Sequence, residues 1–341
     1  MPVFSPGVAV VIDSVGSRQR LTVASRSVRV RSSRQKPIDQ ATVTLPLHPK
    51  LGLDTFRAGD PITIRMRGVN DDESDTFVGF ITTVGPNLPV TLTCADAAWL
   101  LSRKYFDSPK VWAEPMFDDV VRELCDAADL PGLITDNSVQ GGLGNGGQLK
   151  ADAESYLDRI VQIASYDFRT DFFVVPGTKT PYYGLSYQPE LLYLQQEVPV
   201  LRFDRCVTGS KLEYQAGDRV GKVVVHSHDE SWSEDTDIAA EYGDGEPVEH
   251  VNERVDNAAE AATRAEEIFH QRNQAGYTGS LTVLGMPSLR HGMVVKLYDP
   301  RYPYRTGRYY LDAVEHQIDG GRYRTKLSLG SSWPVSWREK V

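Results

Sequence analysis

Cysteine is scarce in this chain: only three, Cys94, Cys125 and Cys206, occur in 341 residues, far apart and with no CxxC pair. So sparse and odd a set argues against a disulfide framework or a thiolate metal site, and suits a reducing compartment. No apolar run approaches the roughly 18 residues of a membrane span, and no basic segment leads into an apolar one near the N-terminus, so neither membrane insertion nor export by a signal peptide is expected. Basic charge is also in deficit, with a net charge of −9. That argues against a duplex-DNA reader, which neutralises phosphates with a basic face. The basic strip Arg26, Arg29, Arg31, Arg34 and Lys36 alternates in part with Val28 and Val30, as on the solvated face of a strand.

Signatures of chemistry are equally thin. There is no GxSxG elbow, and none of the cysteines sits in a context that would activate it. Gly142–Gly147 matches GxGxxG, but its lead-in Thr135-Asp136-Asn137-Ser138 is no buried strand, and Gln148–Ala151 separates it from a helix capped by Asp152. A phosphate cradle needs a strand leading straight into the glycines and a helix N-terminus directly after them. His226 and His228 would share one strand face, which is acceptable for a metal, but His250, His270, His291 and His316 show no spacing that supplies a third ligand. The acid pairs Asp118-Asp119 and Glu266-Glu267 fit solvated helix faces, and the acidic run Asp229–Asp256 lacks the pattern of a calcium loop. No catalytic, cofactor-binding or metal-ligating residue is assigned, and no cofactor is expected.

What the chain does have is β-structure, twice. With hydrophobic residues at 40% and charged residues at 24%, the length fits two or three globular domains. Val28–Arg31, Thr42–Leu47, Pro61–Met66, Phe77–Val84 and Val90–Cys94 alternate apolar and polar positions between turn signals. A second cluster at Gly279–Leu329 repeats this order, with Gly59 answering Gly292, Gly79 answering Gly307 and Val84 answering Val314. Arg219–Ser227 reads as the counterpart of Val28–Ser32. Between the clusters, helices are predicted over Asp96–Leu101, Glu114–Ala128 with Pro115 in its first turn, and Ala153–Ser165 with Tyr156, Leu157, Ile160, Val161 and Ala164 inward. Strands follow at Arg169–Val175 and Tyr182–Tyr187. The second cluster is interrupted by the acidic loop and by a helix over Asn257–Ala275.

The expected architecture is mainly β with an α+β insertion. It comprises a first tube-like β-barrel over 1–104, a helix–strand module over 105–200, and a second tube-like barrel over 201–341, split by an inserted loop and helix at 229–276. Sixteen tyrosines, with the pairs Tyr182-Tyr183 and Tyr309-Tyr310, leave open a receptor- or glycan-binding role through stacking rings. In alternating strands one ring of each pair is more simply core. A nucleotide- or metal-dependent enzyme is the remaining alternative.

The ordered segments Ala58-Gly59-Asp60-Pro61-Ile62-Thr63-Ile64, Phe77–Val84, Thr93–Leu101, Gly285–Val295, Gly307–Leu311 and Val314-Glu315-His316 together resemble the phage baseplate hub family. That family comprises the late control protein D group and the N-terminal hub part of type VI secretion spike proteins. The resemblance covers nearly the whole chain. It implies a non-enzymatic homotrimer whose six barrels form a ring around a central channel. Such a ring joins a hexameric tail tube, or a tube-initiator protein, to a trimeric spike. Further partners implied are other baseplate wedge proteins and the tape measure protein. The implied location is the virion tail baseplate, assembled in the host cytoplasm. Because the chain ends at Val341 soon after the last strand, the spike is expected to be a separate protein. An acidic channel would repel passing nucleic acid rather than trap it.

Overall fold

The computed structural model describes residues 7–14, 19–23, 25–46, 55–68, 73–86, 88–136, 142, 147–166, 170–187, 192–193, 197–215, 220–227, 238–252, 258–273 and 275–332. The chain divides into two units, one formed by Met1–Lys211 with Ser280–Trp333 and the other centred on Leu212–Gly279.

In the first unit the alternating segments form strands as their period of two requires. They are β1 (Gly7–Ser14), β2 (Gln19–Val23), β3 (Ser27–Ser33), β4 (Gln40–Thr44), β5 (Pro61–Arg67), β6 (Glu73–Val84) and β7 (Thr91–Asp96). Their inward residues make one core containing Val28, Val30, Val43, Ile62, Ile64, Ile81 and Leu92. The helix–strand module follows, with α1 (Ala98–Arg103), β8 (Lys110–Ala113), α2 (Phe117–Ala127), β9 (Ile134–Thr135), β10 (Gln148–Ala151), α3 (Tyr156–Ser165), β11 (Thr170–Val174) and β12 (Pro181–Leu185).

Two helix starts in this module differ from the sequence expectation, and for one of them a side-chain cap sets the boundary. The last helix begins at Tyr156 and is capped by Ser155, not Asp152: the Ser155 hydroxyl accepts from Asp158 N while the Asp158 carboxylate reaches back to the Ser155 backbone. Its buried face is Leu157, Ile160, Ile163 and Ala164, whereas Val161 is 41% exposed. Pro115 lies ahead of α2, outside its first turn.

After the module, β13 (Val200–Arg202) and β14 (Val207–Gln215) lead away, and β18 (Gly276–Leu284) brings the chain back. Then come β19 (Val294–Tyr298), β20 (Gly307–Asp319) and β21 (Arg322–Ser332). All these strands join the early ones in a single thirteen-stranded sheet, ordered β14-β18-β21-β20-β3-β4-β7-β6-β5-β1-β2, with β19 on β20 and β13 on β19. The order β3-β4-β7-β6-β5 recurs as β14-β18-β21-β20-β19. Among the described residues no pairing closes either set into a barrel.

The second unit contains β15 (Lys222–Ser227), β16 (Ile238–Gly243), β17 (Val248–Asn252) and α4 (Ala258–Asn273). Its three strands form their own sheet. Val223 and Val225 pack with Ala261, Ala265 and Ile268 of the helix. Two expectations are corrected by this arrangement. By sheet order the counterpart of β3 is β14, so Lys222–Ser227 belongs to the inserted module instead. Much of the acidic run is strand, since β16 and β17 both pair with β15. Residues 229–237 and 253–256 of that run lie outside the described residues.

Candidate functional site

Both copies of the repeated strand set have the same hydrogen-bond register. Gly59 N donates to Ile81 O and Ile81 N to Asp60 O, just as Gly292 N donates to Leu311 O and Leu311 N to Met293 O. Both glycines have positive φ, +96° and +78°, which a glycine adopts without the penalty a Cβ brings. Pro61 and Ile62 pair with Phe80 and Gly79, while Val294 and Val295 pair with Tyr310 and Tyr309. Even the bulge recurs: the β6–β7 register shifts between Ile81 and Thr83, and the β20–β21 register between Leu311 and Ala313. Gly59 with Gly292 and Val84 with Val314 are therefore true counterparts. Gly79, however, corresponds to Tyr309, two residues beyond Gly307.

The bulged residues differ in use. The Thr82 hydroxyl bonds Thr93 O at 3.0 Å within its own sheet. Asp312 is turned towards the helix–strand module, where Arg34 Nε lies 2.8 Å from its Oδ1 and Arg34 Nη1 lies 2.9 Å from Asp171 of β11. The Tyr187 hydroxyl also donates to Asp312. A bulge that re-aims one side chain thus ties the repeat to its neighbour.

The two copies are joined by β20 lying antiparallel on β3 over seven residue pairs, from Ala313↔Ser33 to Asp319↔Ser27. On the outer face Arg31 Nε meets Glu315 at 2.7 Å and Arg29 donates to Gln317 at 3.2 Å. Part of the basic strip is therefore the ion-paired outer face of this joint. On the inner face Val28, Val30 and Ser32 are buried.

Beneath the joint lies a buried polar cluster centred on Arg290. Its Nη2 donates to Ser74 Oγ at 2.7 Å and to Asp75 O at 2.9 Å on β6, and its Nε to Pro176 O at 3.4 Å in the β11–β12 turn. Nη1 reaches Leu289 O at 2.9 Å and also Pro287 O. One guanidinium therefore links the early strands, the central module and the late strands.

His316 Nε2 donates to Leu289 O at 3.1 Å, because a carbonyl can only accept, which leaves Nδ1 to accept from the Tyr323 hydroxyl at 2.9 Å. Desolvation by burial, then the charge of Arg290, hold this imidazole neutral and push its pKa down to about 3. Burial followed by Arg290 and Arg34 does the same to His291, again to about 3. Its ring packs edge-on to Phe173, 4.6 Å between centroids, and neither ring nitrogen has a hydrogen-bond partner among the described residues.

Asp96 caps α1 through Ala98 N at 3.0 Å and also accepts from Asp39 N at 2.9 Å. Burial raises its pKa to about 7. Asp39 is raised as well, by burial and then by Asp96.

The residues weighed in the sequence for chemistry are scattered. Of the glycine-rich segment, 143–146 lie outside the described residues. A Cβ on Gly142 would meet Pro115 O, so backbone packing already uses that position. Burial raises the Cys94 and Cys125 thiols to about 12 and raises Cys206 too, the opposite of activation. Tyr182 and Tyr183 are both core, one tilted against Phe173 and the other packed in the core of the module's helices. Tyr309 is buried, and Tyr310 is stacked on Tyr187 at 4.1 Å. Neither pair offers two open rings to a sugar. His226 lies outside this region, beside His250 in the second unit, and His228 is outside the described residues.

The strand most open to a partner is β14. It occupies the place in the second repeat that β3 holds in the first, yet none of its residues is buried, and β18 is its only pairing strand among the described residues. In the first repeat the matching strand β6 ends at Val84, and the chain turns into β7 instead of continuing as β20 does. In that turn Leu88 is 73% exposed.

No protein-family model matches the chain, and no curated protein does either. Solved structures of the same fold are phage tail proteins and type VI secretion components. A tail protein from Neisseria meningitidis MC58 is similar with a TM-score of 0.66 at 15% identity, over 97% of this chain and 98% of that one. The 43 kDa tail protein of prophage MuSo2 from Shewanella oneidensis gives a TM-score of 0.63 at 11% identity, over 95% and 98% of the two chains. An Escherichia coli component of the type VI secretion system gives 0.54 at 9% identity, over 98% of this chain and 76% of that one.

Proposed function

We propose that this chain is a structural baseplate hub of a contractile phage tail or related injection machine. In this reading three copies form a ring of six repeats around a central channel, joining a hexameric tail tube to a trimeric spike. The observation that carries it is the pair of repeats with one register but unequal edges: β3 is covered by β20 of the same chain, while β14, in the equivalent place, pairs only with β18 among the described residues. In this reading a neighbouring copy packs the end of its first repeat at the β6–β7 turn, which carries the exposed Leu88, against β14. Such head-to-tail contacts make rings when the rotation closes, and an open strand edge is a ready template for pairing. The tube-like wall would then be completed by assembly, with the domains 1–104 and 201–341 each supplying one segment and 105–200 bracing them. The acidic inserted module of the second repeat makes the six segments unequal, as a device meeting threefold symmetry on one face requires.

Light scattering coupled to size exclusion tests this. The expected species is a trimer, with each interface burying more than about 2,000 Å² as permanent assemblies do. Leu88→Asp on one edge and Ser210→Pro on the other should each yield folded chains that fail to form it. A wild-type monomer at micromolar concentration in the presence of tube and spike proteins refutes the reading. So does a trimer that survives both substitutions.

A further inference from the structure

The second unit carries a pair of side chains that the assembly reading leaves unused. His226 on β15 and His250 on β17 lie on adjacent parallel strands: Val224 pairs with His250, and His226 with Asn252. The two histidines are thus diagonal neighbours on one face of the sheet. It is the face away from α4, since the intervening Val223 and Val225 are the residues that pack against the helix. Their rings lie nearly parallel, 16° apart, and His226 Nε2 is 3.0 Å from His250 Nδ1. Lys222 and Glu241 share the face and pair with each other at 3.1 Å, so neither charge is committed to the imidazoles.

We propose that His226 and His250 form a two-histidine site for a borderline divalent transition-metal ion, with water filling the remaining positions. Imidazole nitrogens bind such ions at about 2.0–2.1 Å, so two of them at tetrahedral or right-angled positions lie about 2.9–3.4 Å apart. The observed 3.0 Å falls in that window. A small reorientation of the rings brings both lone pairs onto one ion, which takes the place of the proton now shared between them. Among the described residues the donor set is imidazole only, which suits borderline ions over hard oxygen-seeking cations, and copper should bind more tightly than nickel or zinc. Among the described residues no carboxylate orients the second ring nitrogens, which places the site among weak, exchangeable ones. Bound metal would fasten β15 to β17 across the ends of the inserted module.

Isothermal titration of the full chain with Cu²⁺, Ni²⁺, Zn²⁺ and Mg²⁺ reads this directly. One equivalent of Cu²⁺ should bind, with Ni²⁺ and Zn²⁺ weaker and Mg²⁺ silent. Copper electron paramagnetic resonance should show two coordinated nitrogens. Affinity should fall with added acid, because protons compete with the metal for the imidazole nitrogens. His226→Gln and His250→Gln should each lower Cu²⁺ affinity at least tenfold, while His270→Gln, with its imidazole on the helix beside Glu266, leaves it unchanged. Copper binding that is absent at millimolar concentration, or that survives either substitution undiminished, overturns the proposal. His250 and His270 are exposed and His226 is half-buried, and an unchanged circular dichroism spectrum confirms that lost binding is not lost folding.

Discussion

Replacing Arg290 by methionine should loosen the molecule at the point where its early strands, central module and late strands meet. Methionine keeps much of the apolar stem but no donor, so Asp75 O, Pro176 O, Pro287 O and Leu289 O all lose this partner, as does Ser74 Oγ. A buried acceptor left unmatched costs roughly 1–3 kcal/mol, and breaking a buried charged contact costs about 3–5 kcal/mol in all. Water entering the gap will offset part of these five separate losses, so the whole loss should be about 3–5 kcal/mol. Arg290→Lys should recover less than half of it, because a single ammonium cannot span β6 and the β11–β12 turn together.

Urea unfolding followed by both tryptophan fluorescence and circular dichroism measures the total, with coincident curves required before a free energy is extracted. Hydrogen exchange locates it: opening should increase most at Asp75 and in the turn from Val175 to Thr180. A stability within about 0.5 kcal/mol of wild type, the range of an ordinary surface change, refutes the reasoning. A uniform loss with no added exchange at β6 and that turn refutes it equally.

The same cluster sets a pH dependence with two opposed arms. His291 and His316 have folded pKa values near 3 against an ordinary 6.5, so the stability from burying them neutral is complete above pH 6.5 and is lost as pH falls toward 3. Asp96 is raised from 3.8 to about 7, so its contribution is complete below pH 3.8 and is lost as pH rises through 7. The urea midpoint of Asp96→Asn should therefore improve relative to wild type between pH 5.5 and pH 8, and a gap that does not change with pH would count against a buried, protonated Asp96. Gly177→Ala should lower stability by roughly 2–4 kcal/mol, because φ is +79° and the new Cβ would meet Asp75 O. Gly132→Ala, at φ +85° with open space around it, supplies the comparison, and equal thermal shifts for the two would show that the close approach is unimportant.

Much of the β framework was legible because strand formation with one buried face leaves a period of two in the sequence. Gly59 and Gly292 marked equivalent turns because no other residue takes up positive φ so readily. The slip at Gly79 has a physical origin as well. In the first copy the glycine is required because Ala95 O approaches it across the ladder, whereas in the second copy the matching place holds Tyr309. Each copy has a glycine near the start of this pairing but not in the equivalent place, so matching Gly79 to Gly307 misaligned that strand by two residues. The Lys222–Ser227 strand was misplaced for a related reason: a run of valines looks the same whether it meets a long sheet or a single helix.

The amino-acid order by itself determined that this is a β-rich chain with two related strand sets and a helical interlude, since those properties follow from local periodicity and turn chemistry. Only the tertiary structure decided that the two sets share one sheet through β20 and β3, that Arg290 holds three segments at once, and that β14 pairs with β18 alone among the described residues. Each of these depends on which residues far apart in the chain come to face one another. Apolar alternation fixes that a strand has a partner and a covered face, but the identity of the partner depends on the packing of the whole molecule.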